Sequence, residues 1–352
     1  MIPFIPMFFI SLVFYSGAES PDLLRLGYIP NIHKGYRDNF QLNEKEKFDK
    51  LSNHKKKKYK ILTIGDSFSE QSGFGYKNML ANDFSVLHVD RFISNNQIQT
   101  LIDFTNGDFF ETYNIEYIIL QNVERHIIKN IKNIRLNDRI MLNEIDSIIF
   151  NHKTEKVENS YNLFSKTTIR FPLYDLPKFF FKKNYLSNEL VNNVELNSNS
   201  LFSNKSNKLL FFNEDLKSTE QNNLKENVNR LNIILNRIAL KLRKRNIKLI
   251  VLPSPDKYDL YYDYISEKKD FKRPIFFDLM KVVKKDYVYI DAKENLASKI
   301  KHTKDLYFYD DTHWSPIASK IITDKIKSEM EKSDKSTNAQ QAFDKKADSV
   351  VK

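Results

Sequence analysis

Short apolar runs alternate with amphipathic segments over most of this chain. The runs typical of buried strands are 60–64, 86–89, 117–120, 248–252 and 287–290. The segments with apolar residues at three- and four-residue steps, typical of helices, are 76–82, 97–104, 227–244, 275–284 and 316–330. Strands that alternate with helices imply a mainly parallel sheet with helices on both faces. The pattern therefore predicts a three-layer α/β fold.

Three stretches depart from this pattern and define the expected domain borders. Residues 126 to about 225 are rich in Asn, Ser and Lys with aromatic clusters such as Phe179–Phe181, and indicate a long insertion between two strands. This insertion is either a substrate-binding lid or a peripheral subdomain. Residues 19–58 are polar and predict a linker, and residues 331–352 predict a polar tail that is a frayed helix or disordered. The main domain is then expected over 59–330.

The first 18 residues have the character of an export or membrane segment. Ile2–Tyr15 contain no charge, and Ser16–Ala18 then form a small-x-small triplet typical of a signal peptide end. The apolar run lacks a basic segment before it and is near the lower length limit for a membrane span. We expect residues 1–18 to be a signal peptide or a membrane anchor, with a buried core helix as the alternative. The rest of the chain would then be exported, in the periplasm or anchored to face it.

Composition narrows the function classes. The 56 basic and 45 acidic side chains give a formal net charge of +11, yet Asn and Ile are also abundant, as an AT-rich coding bias would produce. The basic run His54–Lys60 has no nucleic-acid-binding motif beside it, so we expect no nucleic-acid partner. The absence of cysteine excludes a thiol nucleophile and a cysteine zinc site. The 27 Phe and 18 Tyr exclude disorder for most of the chain.

Two segments supply a nucleophile and a base. Ser67 follows the strand at 60–64, so it would stand at the carboxyl edge of the sheet, near helix amides that could stabilise an oxyanion. Asp310–His313 place a histidine two residues after one carboxylate and three after another. A serine nucleophile needs a base, and the base needs an acid that fixes its tautomer. Ser67 with His313 is the nucleophile and base pair that these motifs indicate, although a helix-capping serine and a structural histidine are the alternatives.

These motifs resemble the SGNH (GDSL) hydrolase superfamily. Gly65–Ser67 match its Gly-Asp-Ser block, and Tyr307–Pro316 are similar to the branch of the alginate O-acetyltransferases and the DHHW-type proteins. Tyr117–Arg125 and Leu249–Tyr258 are similar to two further segments of that branch. The resemblance implies a three-layer α/β/α SGNH fold, which is flavodoxin-like, with a mainly parallel sheet and a long insertion.

The resemblance also implies roles for single residues. Ser67 would be the nucleophile and His313 the base. The acetyltransferase branch has its acid directly before Thr-His-Trp, which selects Asp311. Ordinary SGNH enzymes have it three residues before the histidine, which selects Asp310. We favour Asp311.

The oxyanion donors of the family do not carry over directly. The usual Gly after the second strand and Asn after the third are missing from the matching loops, which leaves the Ser67 amide, Asn122 and Arg125 as candidate oxyanion or substrate donors. The order along the chain differs as well. The alginate enzymes have Asp-x-His-Trp before the serine, whereas here Ser67 comes first.

The resemblance implies an extracytoplasmic O-acyltransferase that passes an acyl group, expected to be acetyl, from Ser67 to a hydroxyl of a cell-surface or secreted polysaccharide. Such an enzyme needs no cofactor and no metal, because the triad and the oxyanion donors suffice. Its expected partners are the glycan acceptor and a multi-pass membrane acyltransferase that supplies the acyl group. An esterase with the same triad and a non-catalytic glycan-binding assembly protein are the alternatives.

Overall fold

The computed structural model describes residues 21–27, 40–53, 56–158 and 190–350. The signal peptide or membrane anchor expected at residues 1–18 and the aromatic cluster Phe179–Phe181 lie outside these ranges. Within them, no helix combines the length and the apolar character that crossing a membrane requires.

A six-stranded parallel sheet forms the middle layer. The described residues contain these strands in chain order, six of which belong to this sheet: β1 (Asp49–Lys50), β2 (Lys58–Ile64), β3 (Val86–His88), β4 (Asn114–Val123), β5 (Val191–Glu195), β6 (Lys208–Phe212), β7 (Lys248–Ser254) and β8 (Val288–Tyr289). The order across the sheet is β1-β3-β2-β4-β7-β8, and every neighbouring pair is parallel. β5 and β6 form a separate antiparallel pair. The five strands predicted from apolar runs are β2, β3, β4, β7 and β8.

Helices cover both faces of the sheet. In chain order they are α1 (Asp22–Gly27), α2 (Tyr76–Leu80), α3 (Gln97–Asn106), α4 (Phe109–Thr112), α5 (Glu124–Asn130), α6 (Leu142–Glu158), α7 (Asn213–Asn222), α8 (Lys225–Arg243), α9 (Lys257–Tyr261), α10 (Phe276–Val282), α11 (Ala292–Ala297) and α12 (Pro316–Val350). Short 3₁₀ helices occur at Leu51–Asn53, Ser72–Phe74 and Tyr262–Tyr264.

Two apolar cores lie on opposite faces of the sheet. Successive side chains of a strand point to opposite faces, so Ile61 of β2 joins one core and Leu62 joins the other. The first core contains residues of α2, α11 and α12. The second contains residues of α3, α8 and α10, including the predicted apolar face of α8 at Leu231, Leu235 and Ile238. This arrangement confirms the predicted three-layer α/β/α fold.

Segments outside the predicted strand and helix pattern also contribute to the folded domain. Within the expected linker, residues 49–50 form the edge strand β1, and Leu23 and Leu24 of α1 are 0 and 2% exposed in the first core. Within the expected insertion, the pair β5–β6 buries Leu209 and Phe211 in the same core. The polar tail beyond residue 330 continues α12 as helix as far as Val350.

Candidate active site

The candidate nucleophile lies in a loop that we call the serine loop, residues 65–71. Ser67 follows the end of β2 and is half-buried. The backbone amide of Ser69 donates to Asp66 O over 2.9 Å, and that of Glu70 donates to Ser67 O over 3.2 Å, so the chain turns here. α2 begins only at Tyr76. The amides beside Ser67 therefore belong to a turn and not to the helix N-terminus that the sequence suggested.

Buried side chains hold this turn in place. The Asp66 carboxylate accepts from the backbone amides of Phe68 over 3.0 Å and of Val123, at the end of β4, over 2.5 Å. Gln121 Oε1 accepts from the Asp66 amide over 3.0 Å and from Ser69 Oγ over 2.8 Å. The serine loop is thus fastened to the carboxyl end of β4, and buried polar groups are satisfied in doing so.

Gly65 allows this packing. A Cβ at Gly65 would lie 1.9 Å from Ser69 Oγ and 2.8 Å from Gln121 Oε1. Both atoms belong to the hydrogen-bonded cluster that holds the turn, so a larger residue at this position would displace it. This close approach explains the glycine before Asp66-Ser67 in physical terms.

The candidate base lies in a second loop, the histidine loop, residues 306–315. Tyr307 and Trp314 form an antiparallel bridge, and the amide of Phe308 donates to His313 O over 3.1 Å. The ammonium of Lys257, the first residue of α9, donates to the carbonyls of Phe308 (2.7 Å), Tyr309 (2.7 Å) and Asp311 (3.2 Å). Burial lowers the pKa of Lys257 to about 7. One fully buried amine therefore fixes the backbone of the loop.

Asp311 is the carboxylate at hydrogen-bond distance from the histidine ring. His313 Nδ1 lies 2.5 Å from Asp311 Oδ1, and the His313 amide donates to the same oxygen over 3.0 Å. His313 Nε2 is buried and has no hydrogen-bond partner among the described residues. Burial alone would lower the pKa of His313, but the charge of Asp311 and its hydrogen bond, with Asp22 adding to them, raise it above the ordinary value.

Asp22 of α1 is a second carboxylate beside the histidine. Its Oδ2 lies 3.7 Å from His313 Nδ1. The backbone amide and hydroxyl of Thr312 donate to it over 2.8 and 2.5 Å, and its own amide donates to Asp311 Oδ2 over 3.2 Å. Burial, and then the charge of Asp311, raise the pKa of Asp22. Asp22 lay in the predicted linker, where no sequence signal marked it as part of a site.

The two loops contact each other directly. The Phe68 ring centroid is 4.9 Å from that of His313 and 5.1 Å from that of Trp314. Gln71 Nε2 donates to Trp314 O over 2.8 Å, while Gln71 Oε1 accepts from the Trp314 indole over 2.6 Å. The neighbours of Ser67 and His313 are thus packed together from opposite ends of the sequence. Gln71 is a residue that sequence reasoning did not single out.

The structure shows both side-chain candidates for the oxyanion donors in hydrogen bonds to other protein groups. Asn122 is buried and its amide donates to Gln97 Oε1 of α3 over 2.8 Å. Arg125 Nη1 donates to Asp256 over 2.7 Å and to Asp215 over 3.2 Å. These carboxylates outweigh the effect of burial and raise the pKa of Arg125 further.

Arg125 lies beside the serine loop, with its guanidinium carbon 6.0 Å from the Phe68 ring centroid. It belongs to a network of buried charges at this edge of the sheet. Glu124 accepts from the Asp256 amide over 3.0 Å, and Asp259 lies 2.5 Å from Lys293 Nζ. Burial raises the pKa of Asp256 and of Asp259 to about 6.

Asp22, Asp311 and His313 are also the described residues whose acidic and imidazole atoms lie close enough together to hold a metal ion, within 4.8 Å of one another. Those atoms already bond to each other and to Thr312. The donor set fits an oriented base better than an open metal site, which would need several ligand atoms aimed at one point.

A comparison with protein families matches residues 206–351 to the SGNH hydrolase-like domain of the acetyltransferase AlgX. This segment is similar to that SGNH hydrolase-like domain. It makes up about two-fifths of the chain, contains Lys257, Asp311 and His313, and leaves out Ser67. Comparisons with curated proteins and with solved structures gave no match.

The AlgX-type match confirms the resemblance that the sequence motifs indicated. The resemblance rests on the family model for residues 206–351. The assignment of Ser67, which lies outside that segment, rests on its position after β2 in the three-layer fold.

Proposed function

We propose that this protein is an SGNH-type serine O-acyltransferase that acts outside the cytoplasm and transfers an acyl group, expected to be acetyl, to a hydroxyl of a polysaccharide. The observation that carries the proposal is the orientation of His313. Asp311 occupies the Nδ1 side of its ring, and Nε2 has no partner among the described residues. The ring also packs on Phe68, the neighbour of Ser67.

In the first step, Ser67 Oγ attacks the carbonyl carbon of an acyl donor while His313 Nε2 takes the hydroxyl proton. The bond between the acyl carbon and the donor oxygen breaks, and the same proton passes from His313 to the departing oxygen. Asp311 keeps the other ring nitrogen protonated and stabilises the imidazolium that forms in between. The products are an acyl-serine and the free donor alcohol.

In the second step, a hydroxyl of the glycan replaces the donor. His313 takes its proton, the glycan oxygen bonds to the acyl carbon, and the bond from that carbon to Ser67 Oγ breaks with return of the proton to serine. Water in place of the glycan would give hydrolysis by the same route. The acceptor that reaches the acyl-serine therefore decides between a transferase and an esterase.

The negative charge on the carbonyl oxygen needs hydrogen-bond donors during both steps. The amide of Ser67 is our first candidate, because it lies in the turn that Asp66 and Gln121 hold rigid. Asn122 and Arg125 remain the further candidates from the sequence. Their present bonds to Gln97, Asp215 and Asp256 would make them supports of the site unless substrate draws them away.

The partners and the location belong to the same proposal. We infer that a multi-pass membrane acyltransferase supplies the acyl group and that residues 1–18 direct or anchor the protein outside the cytoplasm. The net charge of +11 supports an acidic polysaccharide as the acceptor, since a basic surface raises the local concentration of a polyanion. Weak dependence of glycan acylation on ionic strength would count against that part.

The test is an acyl-transfer assay with the purified chain, an activated acetyl ester and an oligosaccharide. Mass spectrometry measures acetyl groups on the sugar, and release of the ester's leaving group measures total turnover. We expect acetylated sugar with the native chain and a loss of at least about 10³-fold in Ser67→Ala. Ser147→Ala, which changes an exposed serine whose hydroxyl donates within its own helix α6, is the matched control.

Each outcome of this assay decides between the candidate functions. Leaving-group release that depends on Ser67 but yields only free acetate, whatever the sugar concentration, would replace the transferase with an esterase. Equal turnover in Ser67→Ala and the native chain would remove the triad as the function and favour a non-catalytic glycan-binding protein.

A further inference from the structure

The N-terminal helix α1 reaches into the histidine loop from a part of the sequence that lies about 290 residues away. Asp22 accepts from both the amide and the hydroxyl of Thr312, the residue between Asp311 and His313. In return the Asp22 amide donates to Asp311 Oδ2. The carboxylate and the amide of one residue therefore bind both residues that precede the histidine.

The position of Asp22 is set by apolar packing. The next two residues, Leu23 and Leu24, are 0 and 2% exposed and belong to the core that also contains Phe68 and Trp314. α1 packs against β5 and β6. Docking of α1 therefore brings a carboxylate to one fixed place beside the imidazole.

We propose that Asp22 is a positioning residue for His313: it holds Thr312 and, together with Asp311, places negative charge along the Nδ1 side of the imidazole so that Nε2 faces the reacting serine. This inference rests on the proposed function, in which His313 is the base. Asp22 touches neither acyl donor nor acceptor in this role. It acts through the loop and through its charge.

The charge of Asp22 adds to that of Asp311 when the imidazole takes a proton. Oδ2 of Asp22 is 3.7 Å from His313 Nδ1, close enough for the charge to favour the imidazolium. Three other charged groups interact with this pair: Arg125, which opposes protonation of His313, and Asp215 and Lys257, whose own pKa values the charge of Asp22 raises. Loss of the Asp22 charge should therefore lower the pKa of His313.

The experiment compares the full-length native chain with Asp22→Asn, a substitution of nearly the same shape without the charge. The pKa of His313 is measured by NMR titration of the histidine ring protons, with its signal assigned from the spectrum of His313→Asn. The dependence of kcat/KM on pH is measured with the activated acetyl ester. We expect a lower pKa for His313, a matching shift of the acidic limb to lower pH, and a kcat about tenfold lower on its plateau.

Two further variants separate positioning from general damage to the fold. Thr312→Val removes the hydroxyl that Asp22 accepts from, so its effect on kcat should not add to that of Asp22→Asn if both act through one contact. Asp83→Asn removes an exposed carboxylate that pairs with Lys327, and it should leave the pKa of His313 and the pH profile as they are.

The proposal is overturned if His313 keeps its pKa and kcat is unchanged in Asp22→Asn, or if kcat falls only in proportion to the folded fraction seen in thermal unfolding. Additive effects of the two single variants would also contradict it. A failure of the proposed function gives a different result. His313→Asn would then turn over the activated acetyl ester at the same rate as the native chain, whatever effect Asp22→Asn has on the pKa of His313.

Discussion

The serine loop and the histidine loop carry the two halves of the candidate site, but they are built in different ways. The histidine loop closes on itself through the bridge between Tyr307 and Trp314, and the acid for its histidine lies two residues away. The serine loop also has hydrogen bonds of its own, but Gln121 of β4 fastens it to the sheet, and its residue Gln71 binds the opposite loop. A local motif can therefore specify a base with its acid, whereas the nucleophile is positioned by distant parts of the chain.

The largest expected effect comes from the acid beside His313, and it tests whether the local motif of the histidine loop specifies the base together with its acid. Asp311→Asn should lower kcat by about 10³- to 10⁴-fold, because it removes the carboxylate 2.5 Å from His313 Nδ1 and favours the wrong tautomer. Asp310→Asn, at the neighbouring buried position, should retain most of the activity per folded molecule. Steady-state kinetics with an activated acetyl ester measure both. The reverse order of effects would assign the acid to Asp310, as in ordinary SGNH enzymes.

The next effect tests how the histidine loop is supported from outside. Lys257→Met should leave three carbonyl groups without their donor and lower the free energy of unfolding by about 3 kcal/mol, with kcat reduced at least about tenfold. Chemical denaturation and kinetics measure the two quantities. Lys248→Met, at the first residue of β7 and partly exposed, is the control and should leave kcat unchanged. An unchanged free energy of unfolding in Lys257→Met would mean that the contacts within the histidine loop are enough to stabilise it.

A smaller effect is expected from the link between the loops. Gln71→Leu removes the two hydrogen bonds to Trp314 and should lower the free energy of unfolding by about 1–3 kcal/mol, while it lets the serine loop move relative to His313. We expect kcat to fall with little change in KM for a small ester. The control is Gln99→Leu on α3, whose bonds lie toward Asp103 and Arg135. Equal kcat in both variants would show that the loops are positioned without Gln71.

The smallest effect is in the pH dependence of the native chain. His313 must be neutral to accept a proton, and its pKa is raised above the ordinary 6.5, so kcat/KM should fall on acidification with a midpoint above that value. For stability the sign is opposite. A raised histidine pKa stabilises the fold below the unfolded value of 6.5, and this contribution is lost as the pH rises through the folded pKa. A midpoint of the kcat/KM profile below pH 6.5 would contradict the prediction that Asp311 and Asp22 raise the pKa of His313.

The fold could be predicted to a large extent because the central strands are covered on both faces. Such strands are apolar throughout, so β2, β4 and β7 stood out as short runs without alternation. The two-residue strand β1 and the strand β5, with three polar residues among five, have too few apolar residues to form a pattern. The strand β6 has four apolar residues among five, but it lies in a segment rich in Asn, Ser and Lys that we interpreted as an insertion. Their places follow from packing against neighbours distant in the sequence.

The residues of the candidate site likewise fall into those that a local motif marks and those whose partners are distant in the sequence. His313 could be named because two carboxylates precede it within three residues, and Ser67 because it follows a buried strand, whereas Asp311 was favoured over Asp310 only through the family resemblance. Asp22 and Gln71 could not, since their contacts with the histidine loop join residues more than 240 positions apart. Nothing in a linker-like or loop segment marks a side chain whose partner is so distant.

By itself, the sequence determined the three-layer architecture and the exclusion of thiol chemistry, and it predicted a serine, a histidine and an acid as the candidate triad, because periodicity, composition and short motifs are local properties. The tertiary structure alone decided that Asp311 faces the imidazole, that Lys257 and Asp22 hold its loop, and that Arg125 is paired with Asp215 and Asp256. Buried charges and hydrogen-bonding groups need partners, and only the packing of the folded chain determines which partners they meet.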